Sequence, residues 1–245
     1  MLYAAIMAGG RGERLGGDLP KQFLPVCSRP VIIRTLDVFM GLGVFDCIYI
    51  GMAPDWIEHC TRLLKEHGYC DGSIKLVAGG QSRHLTMVNI LREINNTKND
   101  IIVTHDAARP FVSGRMILDS ISAAKQHGAC GAYIESTDSL ALSQDGDSIG
   151  QCLQRNGIYL AQTPQSFRLD LLLECIDKLS PSQAEQLTDA CSVFRLCGLP
   201  VKIIPGESSN LKITTKSDME YAEYVATTRK NTRPCEGTPT AIDNG

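Results

Sequence analysis

Short apolar runs recur along this chain, and most lead into a segment of helical period that ends at a glycine. Residues 2–6, 47–52, 74–78 and 101–103 read as buried strands. Helices are predicted over 30–40, 55–67, from about 82 through 94, and 114–127, with a further strand over 129–134. Gly41 and Gly43 close the first of these helices and Gly68 the second. Strands alternating with helices of this length predict an α/β chain, a mostly parallel sheet covered on both faces. Ligands of such sheets bind at the carboxyl ends of the strands. Three segments rich in glycine or charge fall there: 7–22, 79–86 and 106–109. That coincidence points to a phosphate-bearing substrate.

The first segment reads Met7-Ala8-Gly9-Gly10-Arg11-Gly12-Glu13-Arg14, then Leu15-Gly16-Gly17-Asp18-Leu19-Pro20-Lys21-Gln22. Glycine accepts positive φ and lets a backbone or ligand come close. Consecutive N–H groups in such a bend form an anion-binding concavity. Arg11, Arg14 and Lys21 bring three cations within eleven residues, and Pro20 stiffens the chain just before Lys21. No Gly-Lys-Ser/Thr closes the segment, so it is not a Walker A loop. Gly10, Gly12 and Gly16 imitate a dinucleotide fingerprint, but Gly16-Gly17 and Pro20 interrupt the helix that fingerprint opens, which argues against a Rossmann dehydrogenase.

Composition narrows the classes further. The 245-residue chain carries a net charge of −3, which gives no basic field for nonspecific nucleic-acid binding. No apolar run reaches the roughly 20 residues of a membrane span, and the first residues read as a strand rather than a signal peptide. Both point to a cytoplasmic protein. The ten cysteines contain no Cys-x-x-Cys pair and read as reduced and buried; the five histidines have no metal-ligand spacing.

Beyond residue 135 the rhythm changes. Residues 139–142 and 149–153 read as a hairpin around Asp145-Gly146, suited to a lid, a subunit contact or a decoration. A strand over 158–161 follows, then helices over 168–179 and 182–197, strands over 201–204 and 211–214, and a helix over 217–229. Period-two alternation would turn Lys212 and Thr214 the same way. One domain is expected over 1–229, with residues 230–245 a disordered tail.

Ala8-Gly9-Gly10-x-Gly12-x-Arg14, Pro20-Lys21-Gln22, Asp106-Ala107-Ala108-Arg109-Pro110, Thr163-Pro164-Gln165 and Asn210-Leu211-Lys212-Ile213-Thr214 together resemble the cytidylyltransferases that couple CTP to a sugar-alcohol phosphate. The resemblance runs from residue 1 to about 228. It implies a Rossmann-like three-layer sandwich of the nucleotide-diphospho-sugar transferase type, with the hairpin at 136–156 as a dimerisation arm. Two branches are close, one using 2-C-methyl-D-erythritol 4-phosphate and one D-ribitol 5-phosphate. Met7 before Ala8-Gly9-Gly10, Lys21-Gln22-Phe23-Leu24-Pro25, Thr104-His105-Asp106, Leu187-Thr188-Asp189-Ala190-Cys191 and Lys212-Ile213-Thr214-Thr215 look like the ribitol branch. Ser209 stands before Asn210 where the methylerythritol branch more often has Asp. Gln81-Ser82 departs from the acidic residues usual after the second glycine pair.

The ribitol reading implies CTP plus D-ribitol 5-phosphate giving CDP-ribitol and pyrophosphate, for teichoic-acid or capsule synthesis. The methylerythritol reading implies isoprenoid synthesis instead. By residue-wise similarity Arg14 and Lys21 stabilise charge at the α-phosphate, with Lys212 a third cation of the site. Met7, Ala8, Gly9, Gly10 and Gly12 hold the triphosphate. Gly80, Gln81, Ser82, Arg83 and Thr86 hold the cytosine, capping and solvation of the next helix being the plain alternative for Ser82 and Arg83. Asp106 stands for either Mg2+ or the acceptor's hydroxyls, with capping of its own turn as the structural alternative. Arg109, Thr137, Arg155, Thr163, Thr188 and Lys212 match acceptor-binding positions, Arg155 reaching a neighbouring subunit in a homodimer with composite sites. Mg2+ is the expected cofactor, and a reductase supplying ribitol phosphate is the further partner. The competing readings are a nonenzymatic nucleotide-binding regulator and a nucleotidyltransferase using UTP or GTP.

Overall fold

The computed structural model describes residues 1–10, 19–95 and 97–231. Its centre is a seven-stranded sheet in the order β11-β7-β10-β6-β1-β4-β5. The strands are β1 (Leu2–Met7), β4 (Cys47–Met52), β5 (Ile74–Ala78), β6 (Ile101–Asp106), β7 (Ala129–Glu135), β10 (Tyr159–Arg168) and β11 (Lys202–Pro205). All pairings are parallel except those of β10, which runs antiparallel to both β6 and β7. Two small hairpins stand outside the sheet: β2 (Pro25–Val26) with β3 (Arg29–Pro30), and β8 (Leu140–Leu142) with β9 (Gln151–Leu153).

Alternate residues of β1 sort the two faces. Ala4 and Ile6 join one core with α1 (Val31–Gly41), α2 (Ile57–Glu66) and α4 (Gly114–His127). Tyr3, Ala5 and Met7 join the other with α3 (Arg83–Arg92), α5 (Leu169–Asp177) and α7 (Cys191–Leu196). The expected α/β architecture of three layers around a mostly parallel sheet is therefore present. The short α6 (Pro181–Glu185) precedes α7, and α8 (Lys216–Asn231) packs Ala222 and Ala226 with Val26, Val31 and Phe111.

Three expectations need correction. The helix read over 182–197 is two helices. Asp189 accepts from Ser192 N and Oγ, while Gln165 from β10 accepts from Ala190 N, so tertiary and capping bonds replace the helical ladder there. Residues 211–214 form no strand. Ile213 N donates to the Ala108 carbonyl and Thr214 N to Asp218, which leaves no ladder for a neighbour. The strand read over 158–161 continues to Arg168, with a bulge between Ala161 and Gln165 that contains the cis Thr163–Pro164 bond. The last helix reaches Asn231, and the tail expectation for 232–245 lies outside the described residues. Among the described residues no helix is long and apolar enough to cross a membrane.

The approach of α3 to the sheet depends on Gly51. A Cβ there would lie 2.5 Å from Thr86 Cγ2 and 2.9 Å from Ile90 Cδ1. Gly51→Ala should push the start of α3 off β4 and cost about 1–3 kcal/mol, which a lowered urea midpoint at unchanged m-value would show.

Candidate active site

A cavity of about 850 Å³ opens at the carboxyl ends of β1, β4, β5 and β6. Met7, Ala8, Gly9 and Gly10 come from the first strand end, Ala53 and Pro54 from β4, and Gly79, Gly80, Gln81 and Ser82 from β5. Asp106, Ala107 and Ala108 follow β6, and Lys212 and Thr214 close the far wall. Every described residue assigned to CTP from sequence lines this space, as do Lys21 and Lys212. Gly12 and Arg14 lie outside the described residues.

The first bend is fixed from both sides. Ala8 N donates to the Gly51 carbonyl, and the buried Gln22 Nε2 donates to the Ala8 carbonyl at 2.7 Å. Gln22 belongs to the Pro20-Lys21-Gln22 motif but was given no role from sequence. Lys21 opens a single 3₁₀ turn, Lys21–Phe23, whose Phe23 ring packs on Trp56 and His59. Lys21 Nζ donates to the Ile213 carbonyl at 2.8 Å, linking this turn to the segment bearing Lys212. Ile213 is buried while its neighbours Lys212 and Thr214 line the cavity, so the predicted alternation holds without a strand.

The second bend is built on Thr86. Its Oγ1 donates to the Ser82 carbonyl at 2.9 Å and accepts from Gly80 N at 3.1 Å. A Cβ on Gly80 would fall 2.4 Å from Leu85 Cβ, so only glycine fits. Ser82 both caps α3, accepting from Leu85 N, and lines the cavity.

Asp106 gathers the charges. Arg83 donates to its Oδ1 from Nε and Nη2 at 3.3 and 3.2 Å. Lys212 Nζ lies 2.9 Å and Arg109 Nε 3.5 Å from Oδ2. Burial alone would raise the Asp106 carboxyl, but Arg83, Lys212 and Arg109 outweigh it and hold it well below the usual carboxylate range. Three cations on one carboxylate leave the wall with positive charge in surplus. Such a wall suits an anionic ligand better than a bare metal ion. Among the described residues, Asp106 is the one carboxylate lining the cavity, and they contain no group of three His, Cys, Asp or Glu able to hold a metal. By the described residues alone, a divalent cation fits here as one carried by phosphate oxygens.

The other acceptor-binding candidates stand farther out or deeper. Arg109 and Thr163 are buried behind Asp106, Arg109 Nη1 donating to the Asn210 carbonyl at 2.9 Å. Thr188 shares a narrow crevice with Arg83, on the segment that Gln165 ties down through Asp189. Thr137 and Arg155 meet each other at the base of the β8–β9 hairpin, Arg155 Nη1 donating to the Thr137 carbonyl at 3.0 Å. Ala53 and Pro54 line the cavity without having been singled out, and Thr214, given no role from sequence beyond facing the same way as Lys212, lines it too. The strand-end rule, applied to β4 as well, would have found the first two.

A family model described as 2-C-methyl-D-erythritol 4-phosphate cytidylyltransferase matches residues 2–228. Among solved structures, the chain is similar to 2-C-methyl-D-erythritol 4-phosphate cytidylyltransferase of Francisella tularensis, at 29% identity and a TM-score of 0.78, over 91% of this chain and 98% of that one. The 4-diphosphocytidyl-2C-methyl-D-erythritol synthase of Anaerococcus prevotii matches at 27% identity and a TM-score of 0.77, over 92% and 96%. The Thermus thermophilus 2-C-methyl-D-erythritol 4-phosphate cytidylyltransferase matches at 25% identity and a TM-score of 0.72, over 93% and 100%.

One buried group gives a pH test. Burial pushes the His105 imidazole down to about 4, so the folded chain keeps it neutral where an unfolded chain, titrating near ~6.5, protonates. Its contribution is complete above ~6.5 and is lost as pH falls from there toward 4. Denaturation at pH 7 and pH 5 should show the wild type losing more stability on acidification than His105→Gln.

Proposed function

The chain belongs to the 2-C-methyl-D-erythritol 4-phosphate cytidylyltransferase family, a family of CTP-dependent nucleotidyltransferases, and from that premise we propose that it transfers a cytidylyl group from CTP to 2-C-methyl-D-erythritol 4-phosphate. The observation that carries this reading is the joining of two glycine bends, Lys21 and the Arg83–Asp106–Lys212 cluster around one cavity. An oxygen of the acceptor's phosphate attacks the α-phosphorus of CTP. The bond from that phosphorus to the bridging oxygen of the β-phosphate breaks, and pyrophosphate leaves.

A phosphate nucleophile is already ionised, so the site has to position two anions and stabilise charge rather than remove a proton. In this reading Ala8, Gly9, Gly10 and Gly12 receive the triphosphate, and Arg14 and Lys21 stabilise the α-phosphate. Gly80, Gln81, Ser82 and Thr86 take the cytosine. Asp106 orients acceptor hydroxyls while Lys212 and Arg83 attract its phosphate. Mg2+, held by the triphosphate oxygens beside the bend at residues 8–10, would neutralise part of the triphosphate charge. The β8–β9 hairpin acts as a dimer arm that brings Thr137 and Arg155 toward a second copy's site, and the supply of CTP places the reaction in the cytoplasm. Exposed Leu142, Ile149, Tyr159 and Leu160 on and beside that hairpin support a subunit contact.

D-Ribitol 5-phosphate is the second acceptor, favoured by Met7 ahead of Ala8-Gly9-Gly10 and by Ser209 ahead of Asn210. The acceptor in the family's description and in the names of the solved relatives favours methylerythritol phosphate. Pyrophosphate release with CTP, Mg2+ and each polyol phosphate in turn decides between them. Methylerythritol phosphate is expected to give the higher kcat/KM, and a preference for ribitol phosphate would move the assignment to the second reading. In the same assay Lys21→Ala should lower kcat by roughly 10²-fold or more, as for loss of one preorganised donor; turnover near wild type would remove Lys21 from catalysis.

A further inference from the structure

His105 lies one residue before Asp106 on β6, is fully buried, and packs against the Phe39 ring with centroids 5.2 Å apart. It does not line the cavity, yet both of its ring nitrogens are engaged. Nε2 lies 3.1 Å from the Arg109 carbonyl oxygen, and Nδ1 lies 3.0 Å from Thr163 Oγ1. Thr163 Oγ1 in turn accepts from the backbone N–H of Asp106 at 3.1 Å. The protons in this chain have one consistent placement. A carbonyl oxygen only accepts, so Nε2 carries the imidazole proton. The neutral ring then has a bare Nδ1, to which the Thr163 hydroxyl must donate. That spends the hydroxyl's single proton and turns a lone pair toward Asp106 N–H.

The bonds close a ring across the turn that carries the charge cluster, since Arg109 N also donates to the Asp106 carbonyl at 3.0 Å. We propose that His105 is a positioning residue for the acceptor side of the site: through Thr163 and the Arg109 carbonyl it fixes the 106–109 turn, and so sets where the Asp106 carboxylate meets Arg83, Arg109 and Lys212. Thr163 then acts at one remove from the acceptor, because its proton points inward to His105. The alternative of a general base fails on geometry, as the imidazole has no free nitrogen and no face on the cavity.

The proposal rests on the cytidylyl-transfer reading for its kinetic arm only. Nitrogen NMR of protein labelled with 15N-histidine reads the tautomer directly. His105 should be neutral and protonated at Nε2 at neutral pH, and in Thr163→Val its Nδ1 resonance should move toward that of an unbonded nitrogen. A ring protonated at Nδ1 alone, or at both nitrogens, overturns the proposal whether or not the enzyme assay works. In the kinetic arm, His105→Gln, which keeps an amide donor for the Arg109 carbonyl, and His105→Asn, which keeps an acceptor for Thr163, should raise KM for the polyol phosphate on the order of 10- to 100-fold. The Kd for CTP should move less than about twofold, and adding Thr163→Val to His105→Gln should cost little more than either change alone. Equal losses for CTP and acceptor, or additive losses in the double variant, overturn the proposal. Should one histidine variant fail to fold, the other and Thr163→Val carry the same comparison. Absence of pyrophosphate release from the wild type would instead remove the functional reading, with the tautomer still deciding the role of His105.

Discussion

The Asp106 carboxylate is held by one cation of its own turn and two from distant parts of the chain, and the site's shape follows from that arrangement. Arg83 reaches it from the start of α3, Arg109 from its own turn, and Lys212 from the segment before α8. Asp106 and Arg109 are buried, and removing one partner from a buried pair typically costs about 3–5 kcal/mol. Lys212 and Arg83 are partly exposed and hold Asp106 through a more screened attraction. Geometry that keeps all of them satisfied is therefore strongly selected over near alternatives. The carboxylate draws Lys212 and Arg83 to opposite sides of one wall while leaving net positive charge facing the cavity.

The polar scaffolding behind that wall is almost wholly local to β6, β10 and the segment from 205 to 215. Because β10 runs against its neighbours, its first half lies beside the carboxyl end of β6, which brings Gln162 and Thr163 under Asp106. Gln162 exchanges hydrogen bonds with the backbone of Glu207, and Asn210 Nδ2 donates to Gln162 Oε1 and to the Thr163 carbonyl. Gly206 is required there, since a Cβ would stand 2.8 Å from Gln162 Oε1 and 2.9 Å from the Tyr133 backbone. The segment bearing Lys212 is thus anchored by buried amides at one end and by Asp218, which accepts from Thr214 N and Thr215 N, at the other. It is rigid without being a strand, which suits a segment that must aim two side chains at a ligand.

The glycine bends and the charge cluster are different solutions to binding anions. The bends bring main chain with little side-chain bulk to the strand ends, where a phosphate can come close, while the Ala8, Gly79 and Gly80 N–H groups are spent on holding the bends in shape. The cluster offers charge on the long side chains of Arg83 and Lys212, held in place by the Asp106 counter-ion. Thr86 links the two regions, because its hydroxyl shapes the second bend while it stands in the first turn of α3, the helix that Arg83 opens. A movement of α3 would disturb both, and the close fit at Gly51 opposes it.

Much of this was legible in the residues themselves. Apolar runs of strand length between helical periods fixed the layers, since burial on both faces leaves no other economical home for them. Glycine pairs after β1 and β5 marked the bends, though for different reasons: a Cβ on Gly79 or Gly80 would stand 2.9 or 2.4 Å from Thr86 or Leu85, whereas Gly9 and Gly10 have room for one and leave that space to the cavity. Where a hydrogen bond or charge had to choose its partner across the fold, sequence was silent. The helical period over 182–197 was real, yet Gln165 and Asp189 interrupt it. Residues 211–214 alternate like a strand, yet their N–H groups go to Ala108 and Asp218. The chain alone determined which residues stand at strand ends and which of them carry charge, through local propensity and periodicity. Only the packed molecule decided that Asp106 would hold three cations and that His105 would lie neutral beneath it, because those choices depend on desolvation and on contacts between segments far apart in the chain.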